Sequence, residues 1–478
     1  MPGTTASPSP APLTFYGGLA GALAPFGAFL AGVTWLALHG APDEKGFWPI
    51  LLGALTLGLL LARDRERYAE AMLDGMSQRV VMVMLCAWLF AGVMGAVLSA
   101  GGLVTGLAWL ARTLNLSGGA YVAATFLTTA VVSTATGTSF GTILLCGPIL
   151  YPAGGAAGAM PAALMGAILA GATFGDSMSP VSDTTIASSG TQRVDIGGTV
   201  RSRLRYAVPA GLVALVASAL LGGGGPIPDV VTTTTATTTA TTTATTTANA
   251  APASANGLVL LLSPALVIAM LLRRTHLITA LLTGVASAVG IALALQLVTP
   301  GDLLHIAPET FGATGVLVDG MQRAIGVSVF TLLLVALVGT LQATDVLDRL
   351  VQASQRRAQS ARAAEGWIVG VVSAAVLLTT HSVVAILAVG EFARQTGERF
   401  GLDGYRRANL LDLTVCTWPF LLPYFLPTIL TASASRSGEA FGMPALAAGT
   451  VGLYNTYAWA LVATVLLAVI TGYGRKRT

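Results

Sequence analysis

The stretch GATFGDSMSPVSDTT spans residues 171–185 and lies inside an apolar run over residues 161–190. It holds two aspartates, and an aspartate at the centre of a bilayer costs at least about 2.5–3.5 kcal/mol. Gly171, Gly175 and Pro180 argue against an unbroken helix here. Broken backbone at membrane depth is tolerated only where it lines a cavity or is buried in protein. The stretch therefore predicts a broken membrane helix at a functional site.

The composition of the 478-residue chain places this stretch in a membrane protein. Apolar residues make up 54% of the chain and charged residues 10%, and the mean hydropathy is +0.76. A soluble domain carries about 25% charged residues, and a membrane span needs roughly 20 apolar ones. Apolar runs of about this length lie near 14–38, 47–62, 80–100, 118–150, 161–190, 205–223, 257–272, 277–298, 324–342, 367–390, 408–432 and 450–472.

The positions of the basic residues predict the topology, because Lys and Arg stay on the cytoplasmic side. Run 367–390 has basic loops at both ends, and run 118–150 has charge-poor ends. We therefore interpret both as re-entrant hairpins; the alternative is that one or both are ordinary spans. The result is about ten spans with both termini cytoplasmic in the cell inner (plasma) membrane. Only Lys45, Arg112, Arg323 and Arg436 then lie outside.

The positions of the basic residues also indicate which kind of partner the chain binds. The sequence pI of about 9.1 is compatible with nucleic-acid binding, but the basic residues sit in short loops between apolar runs. We therefore expect the lipid bilayer, and no nucleic acid, as a partner. The clusters fall at 63–79, 193–205 (with Arg203), 273–274, 349–362, 394–407 and 475–477.

Two parts of the chain resemble each other and predict an inverted repeat. Residues 136–139 (TGTS) precede Gly147 by eight residues, and residues 379–382 (TTHS) precede Gly390 by eight. An apolar run with an aspartate and a proline follows each about 30 residues later. The two hairpins open to opposite sides, which is typical of secondary transporters whose broken helices meet at the midplane. Similarity this short also arises by chance, but its agreement with the topology favours a real repeat.

The predicted organisation follows from these features. It comprises a disordered tail (1–12), N-terminal transmembrane helices (13–79), a first transport repeat (80–223), a Thr/Ala-rich extracytoplasmic linker (224–256), connecting helices (257–298), a second, inverted transport repeat (299–472) and a basic cytoplasmic tail (473–478). The fold class is an all-α polytopic membrane protein with broken helices.

Three acidic residues lie inside apolar runs: Asp176, Asp183 and Asp412. Asp176 has no basic residue near it in sequence and is the first candidate. Carboxylate, hydroxyl and freed carbonyl oxygens are the ligands that hard cations prefer, so Asp176 and Asp183 are candidate sodium ligands. A desolvated carboxylate also has a raised pKa. Such a group exchanges a proton for a cation near neutral pH, the minimum chemistry of a cation/proton antiporter.

Each of these residues also has a structural interpretation. Asp183 could cap the half-helix that follows, and Asp412 could pair with Arg406 or Arg407 one turn earlier. His381, at the predicted tip of the second hairpin, could relay protons or bind substrate, or be a hydrogen-bonded structural residue. Any single hydroxyl could simply bond the preceding helical turn.

Residues 171–185 resemble GAYFGDKMSPLSDTT, the signature of the NhaC family of Na⁺/H⁺ antiporters. Residues 135–142 (ATGTSFGT) resemble that family's ATGTSWGT. The family belongs to the ion-transporter superfamily, whose members bind ions between two hairpin tips and two broken helices. The resemblance implies no cofactor beyond transported Na⁺ and H⁺, and it is compatible with a homodimer. It implies a half-site of Thr138, Ser139, Asp176, Ser179, Asp183 and Thr184.

The second half of the chain departs more from the family, which has a stretch like LEDSGTMTSPLIPWN. Asp412, Thr417 and Pro419 align with its Asp, Thr and Pro, whereas its Glu is Leu411 and a Ser is Trp418. In the first half, the lysine after the first aspartate is a serine at position 177. The resemblance therefore implies a second half-site less polar than in the family.

The first hypothesis for function is a secondary antiporter that exchanges sodium or lithium for protons by alternating access. The second is a transporter or exchanger of a small organic acid or amino acid, whose carboxylate half-helix N-termini would hold; members of the family also exchange organic acids. The third is a channel or membrane enzyme. Inverted repeats disfavour a pore, and no nucleophile–base set or metal cluster in the sequence supports an enzyme.

Overall fold

The computed structural model describes residues 12–38, 44–114, 116–224, 255–273, 275–307, 312–346, 349 and 359–475. The helices are α1 (Leu19–Leu38), α2 (Phe47–Leu61), α3 (Arg65–Met76), α4 (Arg79–Ala100), α5 (Leu103–Thr113), α6 (Gly118–Thr136), α7 (Ser139–Gly154), α8 (Pro161–Met178), α9 (Asp183–Thr191), α10 (Ile196–Leu221), α11 (Leu262–Leu272), α12 (Leu277–Ala294), α13 (Pro300–Leu303), α14 (Val316–Gln342), α15 (Ala361–Thr379), α16 (Ser382–Arg399), α17 (Gly404–Val415), α18 (Leu426–Ser435), α19 (Ala448–Leu453) and α20 (Thr456–Thr471). Strands β1 (His305–Ala307) and β2 (Gly312–Thr314) pair antiparallel, with His305 opposite Thr314.

Eight helical segments in the described residues are long and apolar enough to cross a membrane. They are Leu19–Leu36, Val81–Ala100, Gly118–Thr136, Ser139–Ala157, Ile196–Leu221, Leu277–Ala294, Val316–Gln342 and Ala361–Thr379. Shorter apolar helices at Phe47–Leu61, Ala255–Leu271 and Thr456–Thr471 add to them. The predicted class, an all-α polytopic membrane protein, is confirmed.

Helix α8 forms the centre of the fold, and glycine makes its tight packing against α6 possible. Every residue of α8 from Ala162 to Thr173 is buried. A Cβ added at Gly171 would lie 2.4 Å from the Phe126 carbonyl oxygen, and one at Gly175 would lie 2.6 Å from that of Ala130. Small residues four apart allow two membrane helices to approach this closely.

Gly175→Ala should lower the apparent melting temperature of the detergent-purified protein. Its new methyl group would lie 2.4 Å from the Ser133 Cβ atom, and overpacking of this kind costs about 1–3 kcal/mol. Gly53→Ala is the matched control, because nothing lies within 4 Å of a Cβ added there. Equal melting temperatures for the two variants would contradict the close packing of α6 on α8.

Two pairs of helices are interrupted by the same local backbone geometry. Between α6 and α7, Gly137 has φ 71° and Thr138 has φ −144° and ψ 118°. Between α15 and α16, Thr380 has φ 50° and His381 has φ −134° and ψ 115°. A left-handed residue followed by an extended one thus turns the chain at both places that the sequence repeat aligns. Thr380 adopts a conformation that is unfavourable for a β-branched side chain.

Two further helices break as the aspartate–proline runs predict. Helix α8 ends at Met178 and α9 begins at Asp183; α17 ends at Val415, a 3₁₀ turn covers Trp418–Phe420, and α18 begins at Leu426. The aspartates at 176 and 412 each lie in the last turn before a break. Residues 1–11, 225–254 and 476–478 lie outside the described residues, so the predicted tails and the Thr/Ala-rich linker stay predictions.

Candidate functional site

A cavity of ≈ 770 Å³ lies where the broken helices meet. Helices α7, α9 and α16 all begin at its wall, because Ser139, Asp183 and Ser382 line it. Its polar lining consists of Thr136, Thr138, Ser139, Asp176, Ser182, Asp183, Thr184, Thr275, Thr380, His381 and Ser382. The structure therefore brings six of the nine predicted site residues to one space: Thr138, Ser139, Asp176, Asp183, Thr184 and His381.

Asp176 is the half-buried carboxylate at the wall of this cavity. The Ser139 hydroxyl donates to its Oδ2 atom at 2.8 Å, and the Ser182 hydroxyl donates to its Oδ1 atom at 2.7 Å. These two donors come from the start of α7 and from the break after α8, so the turn between α6 and α7 and the broken helix converge on one carboxylate. Carboxylate oxygens accept about four hydrogen bonds, so Asp176 keeps capacity for a ligand.

Asp183 faces the same cavity from the start of α9. The residue is exposed, and it occupies the first position of α9, while Ser182 is the N-cap. The alternative that Asp183 caps the helix is therefore wrong, although its charge in the first turn still suits the helix dipole. Thr184 is buried, and its Oγ1 atom lies 3.0 Å from the Ser182 Oγ atom. Ser182 thus contacts both Asp176 and the residue that follows Asp183.

His381 lines the cavity from the turn between α15 and α16. It is the N-cap residue of α16, but its side chain makes no capping hydrogen bond. Its Nδ1 atom is buried and has no hydrogen-bond partner among the residues that the structure describes. The interpretation of His381 as a hydrogen-bonded structural residue thus gains no support from its imidazole contacts.

Three predicted site residues lie away from the cavity wall. The Ser179 hydroxyl accepts from the Val181 amide at 3.3 Å, and the Thr417 hydroxyl donates to the Thr414 carbonyl at 2.6 Å. Both hydroxyls therefore satisfy local backbone, as polar side chains near helix ends commonly do. Asp412 is fully buried and has a different partner.

Asp412 forms a buried ion pair with Arg203 of α10. The Arg203 Nη2 atom contacts the Asp412 Oδ2 atom, and both side chains are 0% exposed. The Ser188 hydroxyl donates to the same oxygen at 3.2 Å. The alternative partners, Arg406 and Arg407, are engaged elsewhere: Arg406 pairs with Glu365 at 2.9 Å, and Arg407 lies 3.4 Å from Glu398. The expected salt bridge exists, but its predicted partners were wrong.

Arg203 also holds the two broken helices together. Its Nε atom donates to Asn409 Oδ1 at 2.9 Å, and its Nη1 atom donates to Thr185 Oγ1 at 2.8 Å and to the Ser177 carbonyl. These acceptors lie on α17, on α9 and in the last turn of α8. A single guanidinium therefore fixes the backbone next to Asp176 and neutralises Asp412.

Arg203 cannot be told from its neighbours by charge alone, because it falls in a cluster of arginines that is typical of a loop. A signal was present: Arg203 shares one face of α10 with the buried small residues Thr199, Ala207, Ala210 and Ala214. The N-cap of α10 is Asp195, which lies outside the spans and accepts a hydrogen bond from the Tyr405 hydroxyl. This hydrogen bond lowers the pKa of Asp195 and ties the start of α10 to α17.

The oxygen atoms around Asp176 suit a monovalent or hard cation better than a transition metal. Among the described residues, no three His, Cys, Asp or Glu side chains group as metal ligands. Hydroxyl and carboxylate oxygens predominate at the cavity instead, and these are the ligands of hard cations.

The fold and this site define a class. The chain is a multi-pass helical membrane protein with a carboxylate held between broken helices at a cavity, an arrangement typical of secondary transporters. Residues 21–222 match the model of the Na⁺/H⁺ antiporter family. This match confirms the resemblance to Na⁺/H⁺ antiporters that the sequence motifs predicted.

Three similar proteins are antiporters by name. The chain is 27% identical over 320 residues to the Na⁺/H⁺ antiporter NhaC of Alkalihalophilus pseudofirmus, covering 65% of this chain and 66% of that one. It is 30% identical over 169 residues to the malate-2H⁺/Na⁺-lactate antiporter of Bacillus subtilis, covering 35% and 36%. It is 25% identical over 448 residues to the arginine/ornithine antiporter ArcD of Halobacterium salinarum, covering 89% and 86%. The chain thus spans less than two thirds of the length of each of the first two relatives.

Proposed function

We propose that the protein is an antiporter that exchanges sodium or lithium for protons. The observation that carries this proposal is Asp176, a half-buried carboxylate at a cavity between broken helices, held by Ser139 and Ser182. A cation and a proton compete for this carboxylate, since each neutralises the same charge. Binding one therefore releases the other, which is the requirement for coupled exchange.

The cation site is built mainly by the first repeat. Asp176 and Asp183 supply charge, and Ser139, Thr138 and Thr184 supply hydroxyl oxygens near the same space. In the second repeat, Asp412 is already neutralised by Arg203. We therefore assign sodium to the Asp176 side, with His381 as the group that the second hairpin contributes. Ser179 and Thr417 support the backbone at the breaks.

Alternating access follows from the same arrangement. The shared geometry at Gly137 and Thr380 supports two hairpins in inverted repeats at 80–223 and 299–472, added to about ten spans. Both termini then lie in the cytoplasm of a cell whose inner membrane holds the protein. One repeat moves against the other, and Asp176 faces each side in turn.

A second candidate function is exchange of a small organic acid or amino acid. Three helices of at least nine residues begin at the cavity, and helix N-termini stabilise carboxylates. Two relatives are antiporters of malate and lactate and of arginine and ornithine. Organic substrates are therefore the alternative if alkali cations alone drive no exchange.

Dye-reported proton movement in everted vesicles tests the main proposal. The vesicles come from antiporter-deficient cells that express the protein, and each alkali chloride is added to a preformed acid-inside gradient. Sodium or lithium should restore the fluorescence of the pH dye, and vesicles without the protein should show no response. If no alkali cation gives a response in vesicles with verified expression, sodium/proton exchange is excluded. Addition of organic acids then tests the second candidate.

A further inference from the structure

The cavity is much larger than a sodium ion requires. Its volume is ≈ 770 Å³, whereas a water molecule needs only about 10–15 Å³ of cavity volume. Pockets that bind small organic molecules have volumes of about 300–1,000 Å³. Aromatic and aliphatic side chains form much of its wall, among them Phe140, Phe420, Leu426 and Leu271. The space next to Asp176 thus has the size and apolar lining of a site for an organic molecule.

The charged residues in the lining indicate whether that molecule is a cation or an anion. Asp176 and Asp183 line the cavity, and none of its lining residues within the described ranges is Lys or Arg. Among the lining residues that the structure describes, the other titratable side chains are His381 and Cys416. A cation therefore finds two carboxylates here, whereas an organic anion would face both without an arginine or lysine to pair with.

The protein itself shows which cation fits an aspartate at this position. Asp412 lies in the last turn before the break after α17, as Asp176 lies in the last turn before the break after α8. At Asp412 the position opposite the carboxylate is filled by the guanidinium of Arg203. Asp176 lines the cavity instead, and its oxygens keep acceptor capacity beside the donors Ser139 and Ser182.

We propose that the cavity binds amphipathic organic monocations, with a guanidinium or ammonium group on Asp176 and an apolar part against Phe140 and Phe420. This inference rests on the proposed function in one respect: sodium and the organic cation share Asp176 and displace each other. Guanidinium suits the site because its N–H donors match both oxygens of a carboxylate. The neighbouring aromatic faces add cation–π attraction.

Direct binding of benzylguanidinium to the purified full-length protein in detergent tests this inference by isothermal titration calorimetry. Wild type should bind the probe at one saturable site. Asp176→Asn should bind it at least about tenfold more weakly. Benzyltrimethylammonium carries the same charge and ring but no N–H donor, so it should also bind at least about tenfold more weakly.

A pair of matched variants distinguishes loss of a contact at the cavity wall from a general effect on packing. Phe140→Leu removes an aromatic face next to Ser139 and should weaken benzylguanidinium binding about threefold to tenfold. Phe400→Leu changes a partly buried phenylalanine outside the lining and should change binding less than twofold. Equal effects of the two variants would overturn the proposed pose.

The outcomes distinguish this inference from the proposed function. Absence of saturable binding to wild type, or equal binding to Asp176→Asn, overturns the inference whatever the vesicle assay shows. Binding of malate at the same site in place of benzylguanidinium also overturns it, in favour of an organic anion. If benzylguanidinium binds through Asp176 but sodium neither displaces it nor drives proton movement, sodium exchange fails and the organic-cation site stands.

Discussion

Asp176→Asn should abolish cation-driven proton movement while leaving the protein folded and at its normal level in the membrane. The amide keeps the shape of the carboxylate and can still bond Ser139 and Ser182, so the turn between α6 and α7 stays in place. What disappears is the charge. At 4 Å and an effective dielectric constant of about 20, a unit charge contributes about 4 kcal/mol of attraction, equivalent to roughly a thousandfold in cation affinity.

The measurement is the everted-vesicle assay, with expression verified for each variant. Asp74→Asn is the matched control, because it makes the same change at a residue of α3 whose side chain is 73% exposed. That variant should respond to sodium like the wild type. Full exchange by Asp176→Asn would keep the activity but remove Asp176 from its centre, and the neighbouring Asp183 would become the next candidate.

The sequence predicted the helix breaks and the residues that meet in the first half of the candidate site, because local chemistry determines both. In the motif TGTS (residues 136–139), Gly137 is the residue that adopts a left-handed backbone without steric cost. The chain turns there, with φ 71° at Gly137. Pro180 predicted the interruption after α8. The match of residues 21–222 to the antiporter family covers this half, where the resemblance was also specific.

The second half was harder to predict, because its polar groups are satisfied by distant parts of the chain. Asp412 pairs with a residue 209 positions earlier, since Arg203 lies on α10. Glu365, fully buried, binds Arg406 and Arg475 from two other elements. The helical pattern around Arg203 is a weak signal, and the local sequence of Glu365 does not differ from that of a charged residue at a loop. The packing of α10, α15 and α17 is what shows that both are buried.

Arg203→Met should lower the stability of the protein more than Gly175→Ala does. It leaves the buried Asp412 carboxylate without its cation, and breaking a buried ion pair in this way costs about 3–5 kcal/mol. The change also removes the donors to Asn409 and Thr185. The expected readout is a large loss of folded protein and a lower apparent melting temperature in detergent. Arg201→Met, at an exposed arginine on the same helix, should behave like the wild type.

The double variant Arg203→Met/Asp412→Asn tests whether the Arg203–Asp412 ion pair is needed for stability alone or also for transport. Removing both charges avoids the unpaired buried carboxylate, so about half or more of the lost stability should return. If sodium binds at Asp176 as proposed, the folded double variant should keep measurable sodium/proton exchange, because its cavity still holds Asp176, Ser139 and Ser182. A well-folded double variant without any exchange would instead show that the Arg203–Asp412 pair takes part in the transport cycle. The assignment of the cation to the first repeat alone would then be wrong.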